Sequence, residues 1–535
     1  MISTDRLTLS FGGRILFENV NIKFTPGNAY GLIGANGAGK STFLKCLADE
    51  QELTSGSVSI PEGLRLSMLR QNHFEFNEVK VIDTVIQGHS RLWKIMQEKD
   101  AIYAKPDFND DDGMRAAELE VEFADMEGWE AEARAGQLLA ALDISTEHQE
   151  MQMKDVSDNE KVRVLLAQSL FGNPDVLLLD EPTNHLDVDS ILWLENFLLN
   201  FKNTVIVVSH DRHFLDKVCT HIADVDFQTV NLFSGNYTFW YETSQMALQQ
   251  RQSSNKKKED KMKELKSFIQ RFSANASKSK QATSRKVLLD KITLDDIKPS
   301  SRKYPYIVFK PERDLGKEVL FLEKATKSVS EEVLFKNLNL NIGKGERVAL
   351  VGPDLAVTTL MEVLAGESEL DNGGVRWGHS TIRGYLPKDN ESYFDTDLSL
   401  INWLRQYTDE VEENFVRSFL GRMLFSGDEA MKSANVLSGG EKMRCMMARI
   451  MLNNPNVVLL DSPTNHLDLE SITALNKALE LFKGTMIFVS DDVEFSSTLA
   501  TRIIELDGEN YYDLHMSYTD YLTDEARLAR HGLGI

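Results

Sequence analysis

The apolar positions of this chain fall into short uninterrupted runs separated by helical patterns. Tyr30-Gly31-Leu32-Ile33, Val176-Leu177-Leu178-Leu179 and Val205-Ile206-Val207-Val208 are continuous rather than alternating. Such runs read as strands buried on both faces, because alternation is lost when neither face meets water. Phe43-Leu44-Lys45-Cys46-Leu47, just beyond the first run, carries its apolar residues at helical spacing. Strands alternating with helices predict an α/β sheet with ligands at the carboxyl ends of its strands.

The pattern occurs twice. Leu16-Phe17-Glu18-Asn19 returns as Leu334-Phe335-Lys336-Asn337, each eighteen residues before a glycine, Gly34 or Gly352. Asp175 through Asp187 returns as Asn456 through Asp468, sharing the string Pro-Thr-Asn-His-Leu-Asp. Two copies of one domain are therefore expected, at 1–242 and 318–535, with residues 243–317 joining them. An acidic helical stretch at about 88–135, including Asn109-Asp110-Asp111-Asp112-Gly113, interrupts the first copy.

Between the first strand and helix lies Gly34-Ala35-Asn36-Gly37-Ala38-Gly39-Lys40-Ser41-Thr42. It fits G-x-x-x-x-G-K-[ST] in the strand–turn–helix context that a phosphate-binding loop requires. Gly34, Gly37 and Gly39 let the backbone N–H groups, with Asn36 among them, curl around phosphate. Lys40 reaches the β/γ-phosphates, and Ser41, followed by Thr42, offers a hydroxyl to Mg²⁺. Asp180 closes a later strand and would hold Mg²⁺. Glu181 beside it could orient the attacking water, and His210, ending the next strand, faces the γ-phosphate. Phe11 could stack on adenine. These residues predict ATP and Mg²⁺ as ligands and Glu181, His210 and Lys40 as catalytic groups.

Composition narrows the class. With 535 residues, 42% hydrophobic and 26% charged, the chain has room for several ordinary globular cores. Cys46, Cys219 and Cys445 match no metal or redox spacing. They point to buried thiols in a reducing, cytoplasmic setting. The first residues lack the apolar core of a signal peptide, and no run of eighteen apolar residues occurs. The net charge of −23 disfavours indiscriminate nucleic-acid binding, but it hides a strong segregation. Residues 251–303 hold sixteen Lys or Arg against six acids, so that span is +10 and the remainder is −33. It reads as two helices around a polar turn near Asn275–Thr283, with Leu265, Phe268, Ile269 and Phe272 as an apolar stripe. Its charge is where an acidic protein would meet RNA.

Paired nucleotide-binding domains, Leu437-Ser438-Gly439-Gly440-Glu441 and Asp-Glu-Pro-Thr-Asn-His-Leu-Asp together resemble the ABC-F family of soluble tandem ABC ATPases. Arg134-Ala135-Gly136 and the segment Ser273–Arg285 are most similar to its bacterial YbiT-type subgroup. The resemblance implies two ABC domains joined by a basic helical hairpin and closing head to tail. Each ATP is then sandwiched between one copy's P-loop and the other's signature, here Ser438, Gly439, Gly440 and Glu441. It assigns Gln71 a part in sensing Mg²⁺ and γ-phosphate, alongside Ser41 and Asp180 at the metal. It also implies a monomer that binds the ribosome's tRNA exit region, regulates translation, and touches rRNA, tRNA and a ribosomal protein through linker and arm.

Against that pattern the second copy is altered systematically. Its loop reads Gly352-Pro353-Asp354-Leu355-Ala356-Val357-Thr358-Thr359, so Leu355 and Val357 replace glycines and Thr358 replaces the lysine. Val329, Lys388, Ser462 and Asp491 stand for Phe11, Gln71, Glu181 and His210. The first copy's signature is Val156-Ser157-Asp158-Asn159-Glu160. With head-to-tail pairing every loss falls in one composite site and the other stays complete. One working ATP site is expected. A transporter's ATPase subunit and an ATP-gated binding module with little hydrolysis remain the alternatives.

Overall fold

The computed structural model describes residues 1–69, 76–184, 186–272, 284, 286–289, 302–329, 332–410 and 412–530. Each copy is built on a six-stranded sheet of the same order. In the first it runs Thr229–Ser234, His221–Asp226, Ala29–Gly34, Thr204–Val208, Val176–Asp180, Leu66–Met68. In the second it runs Asn510–Leu514, Arg502–Asp507, Arg347–Val351, Thr485–Val489, Val457–Asp461, Arg383–Leu386. All neighbours pair parallel except the terminal hairpin in each. The continuous apolar runs are the central strands, and Val176–Asp180 and Thr204–Val208 are buried along their whole length. A smaller antiparallel sheet, led by Ile2–Phe11 in one copy and Glu318–Val329 in the other, lies alongside.

Helices start where short polar side chains accept the first free amides. Ser157 and Ser438 each form a capping box, with Glu160 and Glu441, at the head of Asp158–Leu170 and Gly439–Leu452. Asp187 and Asp468 cap Val188–Leu199 and Leu469–Glu480 by accepting from the Ser190 and Ser471 amides. The residues following these caps cross between domains. Leu469 is buried among the first copy's core residues, and Val188 packs on the core of the second. This reciprocal insertion holds the two copies head to tail.

The insertion in the first copy is a helical pair, Ser90–Tyr103 and Asp110–Asp125. Ile95, Ala116, Leu119 and Phe123 are buried, and Lys99 sits 3.9 Å from the centre of the Phe123 ring. Arg134 is held by Glu127 and Glu130.

The linker differs from its sequence-based limits. One helix, Tyr237–Phe272, runs straight through the boundary placed at 242, because Tyr237 and Trp240 belong to the first core while its distal part is polar. Ile307, Phe309 and Leu315 are buried in the second copy's cores, so that copy packs from before Glu318. Leu265 is buried; the side chains of Phe268 and Phe272 and the polar turn 275–283 lie outside the described residues, as do Lys278, Lys280 and Arg285. Cys46, Cys219 and Cys445 are free and buried. Among the described residues no helix is long and apolar enough to cross a membrane.

Candidate active site

The loop Gly34–Gly39 leaves the central strand Ala29–Gly34 and delivers the helix Lys40–Leu47. Gly37 and Gly39 have φ of 75° and 99°, a region that costs a side chain dearly but glycine nothing. Lys40 is buried, and its Nζ donates to the Gly34 carbonyl at 2.8 Å. Burial lowers its pKa, opposed by the charges of Glu181, Glu470, Asp468 and Asp180. Two of those four carboxylates, Asp468 and Glu470, belong to the second copy, so the opposing domain already lines this site. Arg14 adds a contact that the sequence did not signal, its Nη2 donating to the Gly37 carbonyl at 3.2 Å.

Asp180 ends its strand with Oδ1 buried and unpartnered among the described residues, beside the Ser41 hydroxyl. Glu181 follows in a left-handed backbone, φ 51°, which turns its side chain out of the strand line. Its Oε2 accepts from the His210 amide at 3.1 Å, and its Oε1 lies 3.3 Å from His210 Nε2. Burial pushes Glu181 up to about 7, while burial and the nearby Lys40 charge push His210 down to about 3. His210 is therefore neutral at physiological pH, its Nδ1 without a partner among the described residues. It stands two residues beyond its strand, which ends at Val208.

The orphaned Asp180 Oδ1, next to the Ser41 hydroxyl, fits Mg²⁺, which takes one or two carboxylates and completes its shell with phosphate oxygens and water. Bound there, the ion would neutralise β/γ-phosphate charge. Gln71 lies outside the described residues. Phe11 ends its strand half-exposed, as a stacking platform must be.

The signature comes from the other domain. A Cβ on Gly440 would stand 2.7 Å from the His466 carbonyl oxygen and 3.9 Å from Asn36 Nδ2. Ser438, Gly439 and Gly440 thus sit over the intact loop, at the amino end of the helix Gly439–Leu452, where free amides and the helix dipole favour anions. Glu441, expected among the nucleotide contacts, is otherwise engaged. Its Oε2 accepts from the Ser438 amide at 3.0 Å and its Oε1 from Lys432 Nζ at 2.9 Å. It shapes the signature rather than facing a phosphate.

The second loop is not a loop. Its helix begins at Asp354, a full turn and more before Thr358, the position matching Lys40. The amides of Ala356 and Val357 both donate to the Pro353 carbonyl, at 2.8 and 3.1 Å. Leu355-Ala356-Val357 favours a helix where Gly37-Ala38-Gly39 favours a nest; the Ala356 bond has a counterpart in the Ala38 amide donating to the Ala35 carbonyl at 3.0 Å, and the Val357 bond is the one the helix adds. Lys388 pairs with Asp354 at 2.6 Å, and Ser462 Oγ donates to Asp461 Oδ1 at 3.1 Å. Asp491 is pushed up to about 7 by burial and by Asp354 nearby. Ser462 keeps the left-handed φ, 49°, of Glu181 but not its base. In the first copy's signature, Asp158 pairs with Lys161 at 2.8 Å. The sequence marked these substitutions; it did not reveal that the loop had become helix or that Lys388 had found an internal partner.

A family profile described as "ABC transporter" matches residues 17–184 and 335–465, and a second of the same description matches 223–309. The "Uncharacterized ABC transporter ATP-binding protein YkpA" of Bacillus subtilis is 59% identical, over 98% of this chain and 97% of its own length. The "Probable ATP-binding protein YbiT" of Escherichia coli O157:H7 is 48% identical over 98% and 99%. Human "ATP-binding cassette sub-family F member 3" is 32% identical over 95% of this chain and 71% of its own. The chain belongs to the ABC-F family. Among solved structures, the complex of archaeal stalk protein aP1 with recycling factor aABCE1 matches at TM-score 0.62, covering 97% of this chain and 92% of that one at 17% identity. A model of ribosome-bound archaeal Pelota and ABCE1 matches at 0.59, with 98% and 81% covered, also at 17% identity. These likenesses show the tandem ABC ATPase fold. This ABC-F chain is accordingly an ATP-binding protein with two ABC ATPase domains.

Proposed function

We propose that this chain is a ribosome-binding factor that hydrolyses ATP at one composite site and regulates translation from the tRNA exit region. The observation that carries the one-site reading is the asymmetry of the two loops: glycine turns in the first, helix from Asp354 in the second. At the first site Lys40 and the Gly440 edge hold the triphosphate between the domains. Glu181, raised by burial to near neutrality, orients and takes a proton from the attacking water, and His210 fixes its carboxylate. The second site meets a triphosphate with Asp354, Asp461 and Asp491 and with a lysine already paired.

The ribosome enters through kinship and charge. The +10 span at 251–303 is the basic feature of an acidic chain, and its first part, up to Phe272, lies in the helix Tyr237–Phe272. In keeping with this, two solved structures of the same fold are a recycling factor in complex with a ribosomal stalk protein and a model of ribosome-bound Pelota and ABCE1. Within this reading the arm at about 88–135 meets a ribosomal protein, and the protein works as a cytoplasmic monomer.

The Glu181→Gln protein should sediment with ribosomes in ATP and leave them without it. Replacing Lys278, Lys280, Arg285 and Lys286 together by Gln should weaken that binding and flatten its salt dependence, since each lost phosphate contact retains about one counterion. ATP turnover without ribosomes should hardly move. Ribosome affinity unchanged across a salt series would remove RNA contact from the linker's duties.

A further inference from the structure

Arg302 counts among the linker's basic residues in the sequence, yet its guanidinium is buried between the domains and is unavailable to RNA. Nη2 lies 2.6 Å from Asp224 Oδ1, Nη1 3.4 Å from Asp226 Oδ2, and Nε 2.8 Å from Glu470 Oε1. The arginine side chain is 10% exposed, and the three carboxylates 12%, 3% and 6%. Its guanidinium also stands 4.8 Å over the ring of Trp240.

These partners have separate origins. Asp224 lies in the strand His221–Asp226, in register with Ile33 just before the phosphate loop. Glu470 is the second residue of Leu469–Glu480, two beyond Asp468, and its charge is felt at Lys40. Trp240 lies in the helix by which the chain enters the linker, whereas Arg302 lies on the returning segment. One side chain therefore joins the competent site's sheet, the opposing domain and both ends of the linker.

The degenerate half carries a related arrangement divided between two arginines. Arg527 pairs with Asp189, the counterpart of Glu470, and stands 5.0 Å over Tyr521, the counterpart of Trp240. Arg530 pairs at 2.6 Å with Glu505, the counterpart of Asp224. There the arginines follow their own domain within a few residues. At the competent site the arginine arrives only after the whole linker.

We propose that Arg302 is a positioning residue that makes closure of the competent ATP site conditional on a seated linker base. With it in place, carboxylates from both domains share one buried cation. Withdrawn, Asp224, Asp226 and Glu470 face each other in a site that excludes water, and closure is opposed. Linker displacement and ATP closure are then linked in both directions. The inference rests on the reading that the first site is the working one.

The test reads closure without turnover. In the Glu181→Gln background, a donor dye on one domain and an acceptor on the other report the ATP concentration for half-closure. Arg302→Met should raise it by about tenfold or more, because a cation is lost from among buried carboxylates. Adding Glu470→Gln should bring it back to within about threefold of the parent, since the two sites share one interaction. Half-closure unchanged in Arg302→Met would overturn the proposal. So would a gain from Glu470→Gln in Arg302→Met no larger than its gain with Arg302 present, because Glu470 also lies near Lys40 and its neutralisation can help ATP by itself. Absence of ATP turnover in the wild-type protein would defeat the working-site reading alone, because closure is measured independently of it.

Discussion

Lys40→Ala should lose ATP turnover by at least about a hundredfold, on the scale of removing one transition-state donor from a dry site. It should lose tight ATP binding as well. Lys40 is buried, its ammonium held to the Gly34 carbonyl and surrounded by Glu181, Asp180, Asp468 and Glu470. Those carboxylates make the empty pocket hostile to a triphosphate unless the lysine offsets them. Removing the cation leaves the charges of Asp180, Glu181, Asp468 and Glu470 without the lysine that offsets them. The equivalent change Thr358→Ala should do little, because Thr358 sits inside a helix whose preceding amides are already bonded. Steady-state phosphate release on both proteins checks this, with thermal unfolding in the absence of ATP to verify that each is folded.

Glu181→Gln should cut hydrolysis by about 10²- to 10³-fold while retaining ATP, since general-base assistance contributes on that scale. Glutamine keeps the shape and can still meet the His210 amide, but it cannot take a proton. Burial has raised the carboxyl of Glu181 to about 7, a value suited to accepting one at neutral pH. Removing its charge also removes a repulsion toward the γ-phosphate, so bound ATP should persist and the domains should stay closed. Rapid-quench single turnover separates binding from chemistry. Near-normal turnover in this variant would mean that another group activates water.

What the sequence disclosed was local. The glycine loop, the Asp180–Glu181 pair, His210 and the Ser438–Gly440 signature are short motifs whose chemistry depends on neighbours in the chain, and the structure brings them to one site. The buried strands were legible because parallel strands lose alternation. The unread features depend on distance in sequence. Arg302 looked like one more solvated linker cation because its partners, Asp224 and Glu470, lie in different domains. Glu441 looked like a nucleotide contact because its carboxylate's true partner, Lys432, lies outside the motif. The conversion of the second loop to helix was foreshadowed by Leu355-Ala356-Val357, which lack any residue suited to positive φ. The sequence suggested a crowded loop; the backbone instead removed the loop.

Nucleotide counting by titration calorimetry is the most direct measurement of the one-site claim. Wild-type protein should bind about one ATP tightly per chain, because the second copy has neither the lysine nor the glycine turns that cradle phosphate. Lys40→Ala should bind none tightly, and Thr358→Ala should still bind one. Thr358→Lys should not gain a second, since Leu355 and Val357 remain in the helix and Val329 still replaces the aromatic ring. Two equivalent ATP molecules per wild-type chain, or a large loss of activity in Thr358→Ala, would contradict it.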